Sequence, residues 1–389
     1  LPLSAAGVFM MEEGIYWYNV SVSVNGKTLV QPHSGCAKAS RLLAVMGPSG
    51  AGKSLLLHSL CGLAPSNAMV QGAIYGVGPG GVFTEVGVPQ RNMALLEQEV
   101  PFFSELTVLE TVIFAAQLEG LSRSRALKVA EKLLNRLRLG AVSQRRVGER
   151  YIGSSGHGLS GGEQRRLALA CALAGEDEGR PLTALLADEP TTGLDTFQAA
   201  ELVQLLTEMG RSRKCATIMT IHQPRSSVWA MIEDVLLLGP GGRAVFCGSR
   251  DAILEHLASL GYACPREGVN PADFIIDLVS VHSDGVEVEE DHRRIARLAD
   301  SVAKGPTLPA GSSGTWSSSV TAPTPRLGGF ALLLRRAWLQ TSRDKATNFS
   351  RFLATGGLGF IFGAQFGFFA PDDMTAVSVT SRVGLLSFG

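Results

Sequence analysis

The 389 residues carry 35 Lys+Arg against 35 Asp+Glu, with 45% hydrophobic residues, 18% charged residues and 45 glycines. That balance excludes an intrinsically disordered chain, which needs low hydrophobicity and high net charge, and argues against a basic nucleic-acid binder. The length allows two or three domains with ample core, and no collagen or coiled-coil period is visible. Cys36, Cys61, Cys171, Cys215, Cys247 and Cys264 are dispersed without CxxC pairs, which predicts free thiols in a reducing compartment. Because the chain starts at Leu1 and stops at Gly389 inside an apolar stretch, it is read as a piece of a longer protein, and no secretory leader is visible in it.

Short β-type runs alternate with helical patterns to about residue 280, which predicts one α/β domain with a largely parallel sheet over residues 1–283. Leu42–Met46 is an apolar run suited to a buried strand. It is followed by Gly47, Pro48, Ser49, Gly50, Ala51, Gly52, Lys53 and Ser54, and then by a helical pattern over 55–60. Strand, glycine loop and helix form the context in which GxxxxGK[ST] turns backbone N–H groups onto phosphate oxygens. Lys53 is expected to reach the β/γ-phosphates and the Ser54 hydroxyl to bind Mg²⁺. Further on, Thr107 and Glu110 precede an apolar run and predict a capping box at a helix start. Residues 182–187 read as a buried strand ending in Asp188 and Glu189, at the strand end that faces the ligand crevice in open α/β sheets. Asp188 is expected to hold Mg²⁺, directly or through water, and Glu189 to orient and deprotonate an attacking water.

Residues 284–326 open with an acidic run and become rich in Pro, Gly and Ser, which reads as a flexible linker with a solvated charged face. The segment 327–351 mixes Phe330, Leu333, Leu334 and Trp338 with Arg335, Arg336, Arg343, Lys345 and Arg351. It is read as an amphipathic connecting helix along a membrane surface, with an ordinary packed helix as the alternative. Residues 352–371 contain no charge; twenty residues in a helix cover the roughly 30 Å of a bilayer core. Gly359, Gly363 and Gly367 share one face of that expected first transmembrane helix, where a neighbouring helix can approach. Basic residues before it and Asp372 and Asp373 after it orient its N-terminal side to the cytosol. Residues 372–389 are read as a loop and the start of a second span.

Between the two phosphate-site motifs lies Leu159-Ser-Gly-Gly-Glu-Gln-Arg-Arg166, which resembles the signature loop of ATP-binding-cassette (ABC) proteins. Ser160, Gly161 and Gly162 would offer a hydroxyl and N–H groups at a helix N-terminus, a second anion site, and the stretch 160–164, with Glu163 and Gln164, would close on nucleotide. Such a site makes sense if it caps a γ-phosphate held by another subunit. The resemblance implies that Gln98 is the Q-loop glutamine that touches Mg²⁺ and couples to membrane helices. It also implies that Asp195 belongs to the D-loop and that His222 is the switch histidine contacting the γ-phosphate. The runs at 220–224, 236–248, 260–265 and 270–277 look like the white/G subfamily of ABC transporters, in which the ATPase domain precedes the membrane domain.

The implied fold is α/β: a P-loop NTPase of ABC type with a mostly parallel sheet core, a β subdomain and a helical signature subdomain, followed by an α-helical membrane segment. The implied protein is an ATP- and Mg²⁺-dependent ATPase subunit of a half-transporter in a homo- or heterodimer. It would be integral to a membrane, with its ATP-binding domain in the cytoplasm, and would export a lipid, sterol or other hydrophobic substrate. Glu189, His222 and Gln98 would be its catalytic residues. Some positions depart from the family pattern. Leu55 stands where Thr is usual, His157 and Ala187 replace commoner residues, and no aromatic lies near 25–28 to stack adenine, Tyr16, Trp17 and Tyr18 being earlier. A soluble ABC-type switch is the alternative, and the run 352–371 argues against it.

Overall fold

The computed structural model describes residues 12–77, 83–85, 93–148, 158–175, 182–265, 269–281, 287–301, 314–317 and 327–363. The chain opens with a hairpin of β1 (Gly14–Val24) and β2 (Lys27–Lys38). β3 (Leu42–Met46) leads through the glycine loop into α1 (Lys53–Leu60), and β4 (Ala68–Val77), β5 (Phe83–Glu85) and β6 (Met93–Leu96) follow. Three helices come next: α2 (Val108–Leu118), α3 (Arg123–Arg136) and α4 (Gly161–Ala172). Then β7 (Ala184–Ala187), α5 (Thr196–Arg213), β8 (Ala216–Thr220), α6 (Ser226–Trp229), β9 (Asp234–Gly239) and β10 (Arg243–Ser249) complete the main sheet. The rest is α7 (Arg250–Ser259), α8 (Pro271–Val279), α9 (Glu287–Asp300), β11 (Gly314–Ser317), α10 (Leu327–Arg343) and α11 (Lys345–Gly363).

The central sheet has the order β10-β9-β3-β8-β7-β6 and is parallel except for β10. A second sheet, β11-β4-β1-β2 with β5 on β4, is antiparallel throughout. Every residue of β3, β7 and β8 is buried, as a parallel sheet covered on both faces requires. Successive side chains alternate between two cores. Leu42, Ala44, Met46, Leu185, Ala187, Val235 and Leu237 face the helices α2–α5 and α8, whereas Leu43, Val45, Leu186, Leu236 and Leu238 face α1 and the antiparallel sheet. Arg41 closes the base of β3 with a two-pronged pair to Asp234 at the start of β9, both at 2.7 Å. All six cysteines are free, and burial pushes the Cys61, Cys171 and Cys247 thiols up to about 12, which leaves little thiolate at neutral pH.

Two stretches differ from the sequence expectation. Within 284–326, read as linker, α9 forms and buries Ile295 and Leu298 in the larger core. Its Asp291 is buried and paired with Arg294, whose guanidinium also bonds the carbonyls of Leu278 and Ser280 at the end of α8. Residues 287–291 of the acidic run are therefore the first turns of a helix, where carboxylates suit the helix dipole, and the short β11 pairs with β4. The connecting helix was expected over 327–351; α10 instead ends at Arg343. Asp344 breaks it by accepting a bond from Thr347 N at 3.0 Å, capping α11. Residues 352–363 of the expected span lie in α11 and expose Phe352, Leu353, Leu358, Phe360 and Ile361; residues 364–371 and the expected second span lie outside the described residues. Among the described residues no helix is long and apolar enough to cross a membrane.

The predicted capping box at Thr107 is present: Thr107 Oγ1 accepts from Glu110 N at 3.2 Å, and Glu110 Oε2 accepts from Thr107 N at 3.0 Å. Glu110 does more than cap. Arg343 at the end of α10 grips its carboxylate with two bonds of 2.6 and 2.8 Å, and Arg336, about two turns earlier on the same helix face, lies 4.0 Å from the Phe103 ring centre. The Arg343 guanidinium holds the Glu110 carboxyl below its usual 4.5, so this contact stabilises the fold above that pH and is lost as pH falls through the depressed value. Glu110→Gln should lower unfolding free energy by about 1–2 kcal/mol at neutral pH. In denaturant titrations its deficit against the parent chain should shrink steadily below about pH 4.5, and a gap independent of pH would contradict the ion-pair assignment.

Candidate functional site

The loop between β3 and α1 is shaped by backbone that only glycine takes easily. Gly52, the residue before α1, has φ 81°, and a Cβ there would lie 2.8 Å from Val30 Cγ2. At Gly47, with φ 150°, a Cβ would run into the Leu238 carbonyl of β9. The loop thus lies tight against its neighbours, Ala51 N–H closing it by donating to the Pro48 carbonyl at 3.3 Å, and the N-terminal end of α1 offers an anion site. Lys53 is buried, and its Nζ donates to the carbonyls of Gly47 at 2.9 Å and Pro48 at 3.0 Å. Burial pushes its ammonium below the usual lysine range, against the pull of the Glu189 and Asp188 carboxylates. Leu55 is half-buried and packs against the α1 core, offering a ligand no hydroxyl.

Beside this loop, β7 delivers Asp188, whose carboxylate is buried. Its Oδ1 accepts from Ser54 Oγ at 2.9 Å and from Thr220 Oγ1 at 2.6 Å. Thr220, at the end of β8, also accepts from Glu189 N at 2.8 Å, so one hydroxyl orients both acids. Glu189 has φ 41°, a left-handed conformation unusual for a residue with a side chain, and Pro190 behind it disfavours the right-handed helical alternative. Its Oε2 accepts from Gln98 Nε2 at 3.2 Å and from Thr192 Oγ1 at 3.1 Å. The strain and the paired donors fix the carboxylate at the strand end, as in sites where geometry serves chemistry. His222, two residues past Thr220, is half-buried.

The residues of the signature stretch form a second group. Ser160 Oγ accepts from Glu163 N at 3.2 Å and Glu163 Oε2 accepts from Ser160 N at 2.8 Å, a capping box at the start of α4. Asp195 caps α5 with a single bond, accepting from Gln198 N at 2.8 Å. The two helix starts abut: a Cβ on Gly162 would lie 3.2 Å from Gln198 Cδ, and one on Gly161 3.5 Å from Leu194. Gln164 and Arg165 of α4, with Gln98, Thr192 and Leu194, line a cavity of about 290 Å³ between the two groups. Arg165 bridges them by donating to the carbonyls of Glu97 and Gln98.

The structure therefore brings Lys53, Ser54 and Asp188 together, joins Gln98 to Glu189, and keeps Ser160, Glu163 and Asp195 in their own caps. Thr220 and Thr192 were missed from sequence. For Thr220 the one available signal was a polar residue ending a short, fully buried strand; Thr192 lies in an exposed turn and carried none. Trp17, Tyr16 and Tyr18 are all buried in the antiparallel sheet, so none is placed to stack on a base.

A parallel sheet with a phosphate-type loop, an acid pair at the adjoining strand end and a capped signature helix define a P-loop NTPase cassette of ABC type. Comparison with known proteins agrees. A family model described as ABC transporter matches residues 30–192, and one described as ABC-2 type transporter matches 222–296. The chain is 34% identical over 410 residues to ABC transporter G family member 7 of Arabidopsis thaliana, covering 96% of this chain and 52% of that protein. It is 32% identical over 363 residues to Protein scarlet of Drosophila melanogaster, 87% and 51% of the two chains. To human ATP-binding cassette sub-family G member 8 it is 31% identical over 268 residues, 68% and 38% of the two. A crystal structure of the ADP conformation of MJ1267, an ATP-binding cassette of an ABC transporter, superposes with TM-score 0.51 at 18% identity, over 64% of this chain and 96% of that one. The chain belongs to the G family of ABC transporters. It spans about half the length of the first two of these relatives.

Thr220→Val keeps the shape of the residue and deletes the hydroxyl shared by Asp188 and Glu189. Leaving buried groups unpaired should lower stability by about 1–3 kcal/mol. Denaturant unfolding should show that loss, with Thr220→Ser recovering most of it; a Val variant as stable as the parent would contradict the bridging role.

Proposed function

We propose that the chain is the ATP-binding and ATP-hydrolysing part of a G-type half-transporter, working as a dimer in a membrane. The observation that carries this reading is the buried network in which Ser54, Thr220 and the Asp188 carboxylate meet beside Lys53. Loop residues 47–54 would wrap the triphosphate, with Lys53 countering its charge. Ser54 hydroxyl and Asp188 carboxylate, with the Gln98 amide oxygen, are hard oxygen donors that fit Mg²⁺. When bound, Mg²⁺ would neutralise phosphate charge. Glu189 would accept the proton of the attacking water, its carboxylate already held by Gln98 and Thr192. His222 would position that water against the γ-phosphate.

Ser160, Gly161, Gly162, Glu163, Gln164 and Asp195 would act on nucleotide held by the other subunit. Their separate capped helix starts support this division, because a second anion site in one chain is otherwise redundant. Nucleotide gripped by both subunits favours the closed dimer, and hydrolysis removes that bias. The Arg343–Glu110 clamp and the Arg336–Phe103 contact support a mechanical route from the Gln98 region into α10. We assign 1–283 to the ATP-binding domain, 327–351 to the connection and 352–371 to a first membrane helix, with the ATP-binding domain on the cytoplasmic side. The cargo is a lipid, sterol or other hydrophobic compound moved outward, with a second half-transporter, identical or not, as partner.

Glu189→Gln tests the base assignment. It should abolish ATP turnover while ATP binding persists; undiminished hydrolysis would reject the role of Glu189.

A further inference from the structure

We propose that His58 is a positioning residue of the nucleotide site, holding the rear oxygen of Asp188 so that its front oxygen keeps a fixed direction toward the cation. Ser54 and His58 are four residues apart on α1 and so lie on one face of it. Both side chains meet the same carboxylate from different sides. Asp188 Oδ1 takes the hydroxyls of Ser54 and Thr220, at 2.9 and 2.6 Å. Its other oxygen, Oδ2, faces His58 Nε2 at 3.8 Å.

That nitrogen is buried and has no hydrogen-bond partner among the described residues, while the ring as a whole keeps some exposure. In both the protonated ring and the Nε2–H tautomer, Nε2 is a donor. A buried donor without an acceptor is unfavourable, and Asp188 Oδ2 is the acceptor an ångström of side-chain movement would supply. A carboxylate held at its rear oxygen cannot swing about its Cβ–Cγ bond, which is how an outer hydrogen bond orients a metal-binding acid. The proposal rests on the reading above of Ser54 and Asp188 as the Mg²⁺ side of the site.

The test uses purified full-length protein and titrates Mg²⁺ against binding of a fluorescent ATP analogue, alongside the same titration for hydrolysis. His58→Leu removes the donor at similar volume. It should raise the Mg²⁺ concentration for half-maximal binding about tenfold, while analogue binding in excess EDTA stays at the parent level. His58→Gln, which keeps a donor of similar reach, should remain within about threefold of the parent. His58→Met serves as the second apolar variant should the leucine protein fail to fold. A parent-like Mg²⁺ requirement in the apolar variants overturns the proposal, as does an equal rise in the apolar and Gln variants, which would mark ring packing alone. Absence of any Mg²⁺-dependent analogue binding by the parent chain itself would instead bring down the cation-site reading, and this proposal with it.

Discussion

A buried carboxylate must be satisfied, and at Asp188 that requirement draws three elements together. The first turn of α1 supplies Ser54, the end of β8 supplies Thr220, and β7 carries the acid itself. The cost of burying a charge without partners runs to several kcal/mol, so the network is effectively all or none. Its existence sets the separation of the glycine loop from the strand ends. Through Thr220 it also fixes the backbone of Glu189, whose left-handed turn would otherwise relax.

The two cores explain why this arrangement is rigid. β3, β7 and β8 are buried on both faces, and their apolar side chains alternate between the helical layer and the α1 layer, which fixes their register. The loop at 47–52 is in turn hemmed in by Val30 and Leu238. By contrast, the signature helix and α5 present capped, solvent-facing starts, although their bodies are packed into the larger core through Leu167, Leu169, Leu202 and Leu206. A buried network beside the glycine loop and an exposed helix start that displays a second anion site suit the proposed closing of two copies on each other.

Much of this was legible in the order of residues. The strand–glycine loop–helix at 42–60 and the buried strand ending in Asp188 are dictated by local composition, and Thr107 and Glu110 announce their capping box by spacing alone. Other features were hidden because they depend on partners distant in sequence. Thr220 looks like any β-branched strand residue until Asp188 is placed beside it. The helix at Glu287–Asp300 carries a thin apolar stripe with Ile295 and Leu298 buried, in a background of mixed charge, so burial in the larger core rather than propensity decides it. The break at Asp344 is likewise a side-chain cap inside a continuous helical pattern, and the connecting helix ends where Arg343 meets Glu110.

A mixing experiment tests the shared site most directly. Lys53→Ala disables the phosphate loop, and Gly161→Asp puts a carboxylate at the signature face where phosphate must approach. Each variant alone should be nearly inactive. Co-assembled, they should regain ATP hydrolysis, because one of the two sites then combines an intact loop from one chain with an intact signature from the other. No recovery in a verified mixed dimer, or full activity from either variant by itself, would contradict a site built from two subunits.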